Sequence, residues 1–262
     1  MTLGPSSASV KRLRKLAERA SFRHEQGAFV VEGPRAVEAA LRASAELEGV
    51  FHSSALAAEW KAVLDLATSA AVPVYEVEVG ALRSALSAES PQGLAAVARM
   101  PEAEKRAPLP EGIAVVLDEV RDPGNAGTIL RSAHASGASS VVFLPGSVDP
   151  YNPKTVRSSA GSIFFVECRR ADSKQEFARL ALESGHRLVG TSAEAGASCF
   201  DSDLTGTLAL VVGNEGAGIS AEMASHIDEW VRVPTVASLE SLNVAVATSV
   251  LLFESLRQRG GA

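Results

Sequence analysis

Three stretches of the chain combine turns, glycines and polar side chains at spacings that could do chemistry. The first runs Asp118-Glu119-Val120-Arg121-Asp122-Pro123-Gly124-Asn125-Ala126-Gly127-Thr128-Ile129-Leu130-Arg131. Its Asp-Pro-Gly-Asn run has turn chemistry, and Asn125 is expected to cap the helix that follows. The second, Gly213-Asn214-Glu215-Gly216-Ala217-Gly218-Ile219-Ser220, has three glycines that permit close backbone approach to a ligand, and Ser220 is placed to cap another helix. The third runs from Val233 to Asn243 and ends in Ser241-Leu242-Asn243, hydroxyl and amide groups at a helix start where free N–H groups also point outward. Singly, each stretch is also what an ordinary strand-turn-helix connection looks like. Together they are expected to make one polar pocket.

Several chemistries are excluded by the same residues. The glycine spacing is not the Gly-x-Gly-x-x-Gly of a dinucleotide site, and no Gly-Lys-Ser/Thr ends a phosphate-cradling loop. Glu215 in the middle of the second stretch disfavours a triphosphate, and with no acidic pair for a metal a kinase finds no support. Cys168 and Cys199 form neither a disulfide framework nor a zinc spacing, so no metal is expected and the chain reads as reduced and cytoplasmic. No histidine lies in any of the three stretches; His134, one turn beyond Arg131, reads as a helix-face residue.

Elements must position these loops. Continuous apolar runs at Ile113–Leu117, Val141–Leu144, Ile163–Val166, Leu188–Gly190 and Leu208–Val212 suit strands of a parallel sheet buried on both faces. Helices are expected at Ala126–Ser136, Lys174–Glu183 and Leu242–Arg259, closed by Gly137, Gly185 and Gly260, with Val246, Val250 and Phe253 forming the apolar face of the last. In open parallel sheets ligands collect beyond the carboxyl ends of strands, where the first two loops fall. Upstream, short strands at Phe29–Val31, Val50–Phe51, Val72–Val77 and Leu94–Val97 alternate with helical stretches, which predicts a small α/β domain. The expected organisation is therefore an N-terminal domain over 1–100, a Pro- and charge-rich linker over 101–112, and a parallel-sheet α/β domain over 113–262.

With 46% hydrophobic residues the 262-residue chain can bury a substantial core, and no apolar run approaches the ~20 residues of a membrane span. A net charge of -6 argues against a wholesale nucleic-acid binder, yet residues 1–35 carry seven bases against three acids. Lys11, Arg12, Arg14, Arg23 and Arg35 are accordingly candidates for an RNA-facing arm, although a solvated helix face has the same composition.

The three stretches, in this order, resemble the three motifs of the SpoU family of RNA ribose 2'-O-methyltransferases, within the knotted SPOUT superfamily. Phe29-Val30-Val31-Glu32-Gly33 and Pro91-Gln92-Gly93 resemble the substrate-binding domain of the same family. The resemblance implies a trefoil knot in the C-terminal domain, a homodimer formed through that domain, and a ribosomal-protein-like N-terminal RNA-binding domain. It implies S-adenosylmethionine held by Thr191, Gly213, Gly218, Val233, Leu242 and Asn243, and a catalytic set of Arg131, Asn125, Glu215, Ser241 and Asn243. The substrate implied by a full N-terminal domain is 23S ribosomal RNA, with tRNA methylation, or a non-catalytic ribosome-assembly role, as alternatives. Ala237 stands where the third motif usually has glycine.

Overall fold

The computed structural model describes residues 2–86, 88, 92–101, 107–236 and 241–260, which fall into two compact units, Met1–Glu102 with Asp149–Phe165, and Ala103–Val148 with Val166–Ala262. The first unit runs α1 (Ala8–Glu18), α2 (Ala20–Gln26), β1 (Ala28–Glu32), α3 (Pro34–Arg42), β2 (Leu47–Ser53), α4 (Lys61–Ser69), β3 (Val74–Val77), α5 (Val79–Ala85) and β4 (Leu94–Arg99). Its four strands are ordered β1-β4-β2-β3, antiparallel except for the β2–β3 pair. Both faces of the sheet are covered. Ala28, Val30, Ala95 and Val97 pack against Val10, Leu13 and Leu16 of α1 and Leu82 of α5. On the opposite face Phe29 lies 4.7 Å from Tyr151 and 6.1 Å from Phe164, centroid to centroid.

The second unit is built on seven parallel strands. It starts with β5 (Ile113–Leu117), α6 (Pro123–Ser136) and β6 (Ser140–Phe143). Next in the chain, α7 (Pro153–Ser158) lies within Asp149–Phe165 and belongs to the first unit. The second unit resumes with β7 (Glu167–Arg170), α8 (Lys174–Glu183), β8 (Arg187–Thr191), β9 (Ala197–Ser198), β10 (Leu208–Val212), α9 (Ala221–Ala224), β11 (Glu229–Arg232) and α10 (Val244–Gln258). Spatially the order is β7-β6-β5-β10-β8-β11-β9. The two longest apolar runs, β5 and β10, lie side by side at the centre and are buried at every position, as a strand covered on both faces requires.

Four sequence expectations change. The apolar run Ile163–Val166 is not a strand: Ser162–Phe164 makes a 3-10 turn whose Phe164 stacks on Phe29, and the strand is the polar stretch that follows it. As an edge strand paired only with β6, β7 can carry charged residues that a central strand cannot. Residues 149–165 therefore pack in the first unit rather than in an unbroken domain over 113–262. In α10 the buried side is Val244, Ala245, Thr248, Leu251 and Leu252, whereas Val246 and Phe253 are each 48% exposed. The helix is apolar around most of its circumference, so periodicity does not select its inward face.

Arg23 is also not an RNA contact. It is buried, its guanidinium gives Asp149 Oδ2 hydrogen bonds of 3.0 and 2.6 Å, and Nη1 donates to the Leu16 carbonyl at 3.0 Å. Its position in the basic N-terminal run concealed a structural ion pair. Arg23→Met leaves Asp149 with the Tyr151 N–H at 3.1 Å and His24 at 3.4 Å but without its arginine, and is expected to lower unfolding free energy by about 3 kcal/mol, read as a lower urea midpoint. A midpoint equal to that of the parent would show that the pair contributes nothing.

Candidate functional site

The register of β5 on β10 pairs Leu117 with Val212, so the chain leaves both strands side by side and the first two polar loops emerge together. At the first, Asp122 rather than Asn125 caps α6: its Oδ1 accepts from the Asn125 N–H at 2.8 Å, with Pro123 in the first turn. The corrected cap matters because it releases the Asn125 amide. That amide donates to Glu215 of the second loop and accepts from Asn243 Nδ2 of the third at 3.0 Å. Asn243 in turn caps α10, its Oδ1 accepting from the Ala245 and Val246 N–H groups at 2.9 and 3.3 Å. Glu215, Asn125 and Asn243 thus join all three loops at two helix N-termini.

The glycine loop closes on itself. Asn214 and Gly218 exchange backbone hydrogen bonds of 2.9 Å, and Asn214 Oδ1 accepts from Gly216 and Ala217 at 3.0 and 3.2 Å. A Cβ on Gly213 would lie 2.2 Å from the carbonyl carbon of Gly218, so this glycine is required by the loop's own backbone. The fold leaves a cleft of about 510 Å³ lined by Thr191, the Gly213–Ile219 segment, Val233, Ser241, Leu242 and Leu251. Apolar side chains beside exposed backbone N–H and C=O groups suit a ligand with a flat ring and a hydrogen-bonding edge.

Of the residues singled out from sequence, Thr191, Gly213, Gly218, Val233, Glu215, Ser241 and Leu242 line this cleft, while Asn125 and Asn243 are joined to it through Glu215. Arg131 does not line it; it is exposed on α6, with no hydrogen-bond or ionic partner among the described residues. Ala237 lies outside the described residues. In the first unit Lys11 and Arg35 are exposed, Arg14 donates to Ser84 at 2.8 Å, and the Arg12 fork is taken up by Glu48.

Sequence reasoning gave no role to Asp118 and Glu119 at the start of the first stretch, and missed Lys174. Lys174 Nζ lies 2.8 Å from Asp118 Oδ1 and 2.9 Å from Glu119 Oε1, and Asp118 is fully buried. Burial opposes the ammonium, but its close contacts with the Asp118 and Glu119 carboxylates and their charges outweigh it and raise its pKa. The hydrogen bond and charge of Lys174 lower that of Glu119. One signal was available: a lysine in the first turn of α8 opposes the helix dipole unless acids face it, and Asp118-Glu119 directly follows the strand candidate Ile113–Leu117. Neither thiol is activated, since burial pushes Cys168 up to about 12 and raises Cys199 as well. Among the described residues no group of three or more His, Cys, Asp and Glu side chains could hold a metal ion, and no helix is long and apolar enough to cross a membrane.

A parallel sheet with a glycine-loop cleft beyond its central strands defines a ligand-binding α/β domain. The chain belongs to the SpoU rRNA Methylase family, whose model matches residues 112–253, and residues 7–96 match an MRM3-like substrate binding domain. It is 35% identical over 231 residues to the 23S rRNA (guanosine(2553)-2'-O)-methyltransferase RlmP of Bacillus subtilis, covering 88% of this chain and 89% of that protein. The solved SpoU methyltransferase AviRb of Streptomyces viridochromogenes, in complex with AdoMet, aligns with a TM-score of 0.84 at 30% identity, over 98% of this chain and all (100%) of that one. An AdoMet-bound rRNA methyltransferase of Sinorhizobium meliloti aligns with a TM-score of 0.83 at 29% identity, over 98% of both chains.

Gly213→Ala forces a methyl group against the Gly218–Ile219 peptide, which contains no side chain able to swing away. The expected cost is about 2 kcal/mol of unfolding free energy, measured by urea titration. Parent-like stability would mean that the loop relaxes freely.

Proposed function

We propose that this protein transfers a methyl group from S-adenosylmethionine to a ribose 2'-hydroxyl of 23S ribosomal RNA, in the cytoplasm. The observation that carries this is the joining of the three motif loops through Glu215, Asn125 and Asn243 beside a cleft of mixed backbone and apolar lining. The residues present fit the cofactor: Gly213 lets the loop fold tightly, and the lining offers an apolar surface for a purine with peptide groups at its edge. Thr191, Gly213, Gly218, Val233 and Leu242 would hold it, with Asn243 nearby. When bound, S-adenosylmethionine supplies an electrophilic methyl group on a sulfonium.

The protein's own work is positioning, which contributes on the order of ~7 kcal/mol in favourable cases. Asn125 and Asn243 are held by each other and by their helix termini, so their polar groups meet the substrate without reorganising. A guanidinium has five donors and no acceptor, so Arg131 orients the hydroxyl and an adjacent phosphate rather than taking the proton. Ser241 supplies a hydroxyl at the cleft and Glu215 anchors Asn125.

The exposure of Arg131 supports a homodimer in which it serves the partner's cleft. So do Val246 and Phe253, which leave an apolar stripe on α10, the helix bound to α6 through Ser132 and Ser249 at 2.7 Å. The loops of the parallel-sheet unit are proposed to form the trefoil knot of the superfamily. Lys11, Arg14 and Arg35 are the remaining cationic candidates for RNA contact from the first unit, with Arg12 as a further candidate if Glu48 yields.

Arg131→Lys keeps the charge and loses the planar fork. It is expected to lose most methyl transfer in a tritiated-methyl assay while calorimetry finds cofactor binding nearly intact; parent-like transfer would remove Arg131 from the reaction. Ribose-methylation mapping of a strain lacking the gene should show one missing mark in 23S rRNA. A missing mark in tRNA alone would overturn the substrate.

A further inference from the structure

The glycine loop rests on a buried cation that is not among the residues lining the cleft. Lys174 begins α8, and its ammonium reaches Asp118 Oδ1 at 2.8 Å, Glu119 Oε1 at 2.9 Å and Ser220 Oγ at 2.8 Å. Glu119 Oε1 and Ser220 Oγ accept hydrogen bonds from it, Asp118 Oδ1 faces it as an ion pair, and these partners come from just beyond β5 and from the cap of α9. Glu119 has φ +59°, a left-handed conformation that a glutamate adopts only when its surroundings hold it there. Its carbonyl accepts from Asn214 Nδ2 at 3.1 Å, and Asn214 Oδ1 accepts from the Gly216 and Ala217 N–H groups beside Glu215. At the other end of the loop the Ser220 N–H donates to Asp118 Oδ2 at 2.7 Å. One ammonium therefore contacts the residues that fix both ends of the segment from Gly213 to Ser220.

We propose that Lys174 is a positioning residue of the cofactor cleft: by clamping Glu119 and Ser220 it sets the shape of the glycine loop, and it acts on the ligand only through that loop. The inference rests on the reading that the cleft binds S-adenosylmethionine. A lysine that merely stabilised the fold would have its loss repaired by anything that restores stability. A lysine that shapes the loop would not.

That contrast defines the test. Lys174→Met alone leaves the Asp118 carboxylate buried without its cation and is expected to destabilise the protein. In the full-length double variant Lys174→Met with Asp118→Asn both charges of this buried pair are removed, and the asparagine carbonyl can still accept the Ser220 N–H. Urea unfolding should show stability recovered relative to the single variant, while calorimetry shows S-adenosylmethionine bound about tenfold more weakly. KM for the cofactor should rise in step, with kcat at saturating cofactor little changed. Lys174→Arg should restore part of the affinity. If the double variant does not fold, Ser220→Ala, which removes one of the two hydrogen-bond acceptors of the ammonium, is expected to weaken binding about threefold. Affinity equal to that of the parent in the folded variant overturns the proposal. Failure of the parent itself to bind S-adenosylmethionine overturns the functional reading beneath it, a result that the parent titration reports separately.

Discussion

The pairing of β5 with β10 is the constraint on which the site depends. Two strands that are distant in sequence run parallel and in register from Ile113 beside Leu208 to Leu117 beside Val212. Every side chain in both is apolar and buried, so a slip of one residue would misplace the whole central layer. Because the register is held at its carboxyl ends, Asp118-Glu119 and Gly213-Asn214 begin their turns next to each other. The Asn214 to Glu119 hydrogen bond and the Ser220 to Asp118 hydrogen bond both follow from that adjacency.

Above this layer the polar groups are satisfied by one another in a definite order. Asp122 takes the cap of α6, which leaves Asn125 able to reach Glu215 and Asn243. Asn243 spends its carbonyl on α10 and its amide on Asn125. Each contact is individually modest, on the order of ~1 kcal/mol for a neutral pair, but each fixes the donor or acceptor of the next. Lys174 does for the underside of the glycine loop what Asn125 does for its rim.

Much of the fold was legible because burial writes itself into composition. The strands Ile113–Leu117 and Leu208–Val212 and the helix Lys174–Glu183 were read with the bounds that the structure has, since a central strand has to be apolar throughout and a helix end has to be capped. Edge elements were illegible for the converse reason. At one edge β7 carries charges, as does β11 next to the other edge, and the apolar Ile163–Phe164 looks like a strand although its Phe164 stacks on Phe29 of the first unit's sheet. Arg23 looked like a surface cation until Asp149, more than a hundred residues away in the chain, was brought to it.

By itself the sequence determined which loops carry chemistry, since the order of Asp122 to Arg131, Gly213 to Ser220 and Ser241 to Asn243 and the residue types within them are linear facts. It also determined the class of the sheet, through apolar runs too continuous for a half-exposed strand. Only the tertiary structure decided which helix face is buried, which residue caps α6, and that a lysine outside all three motifs stands beneath the glycine loop. The physical reason is the same in each case. Caps, ion pairs and inward faces are set by a neighbour in space, and one chain read in order does not say who that neighbour is.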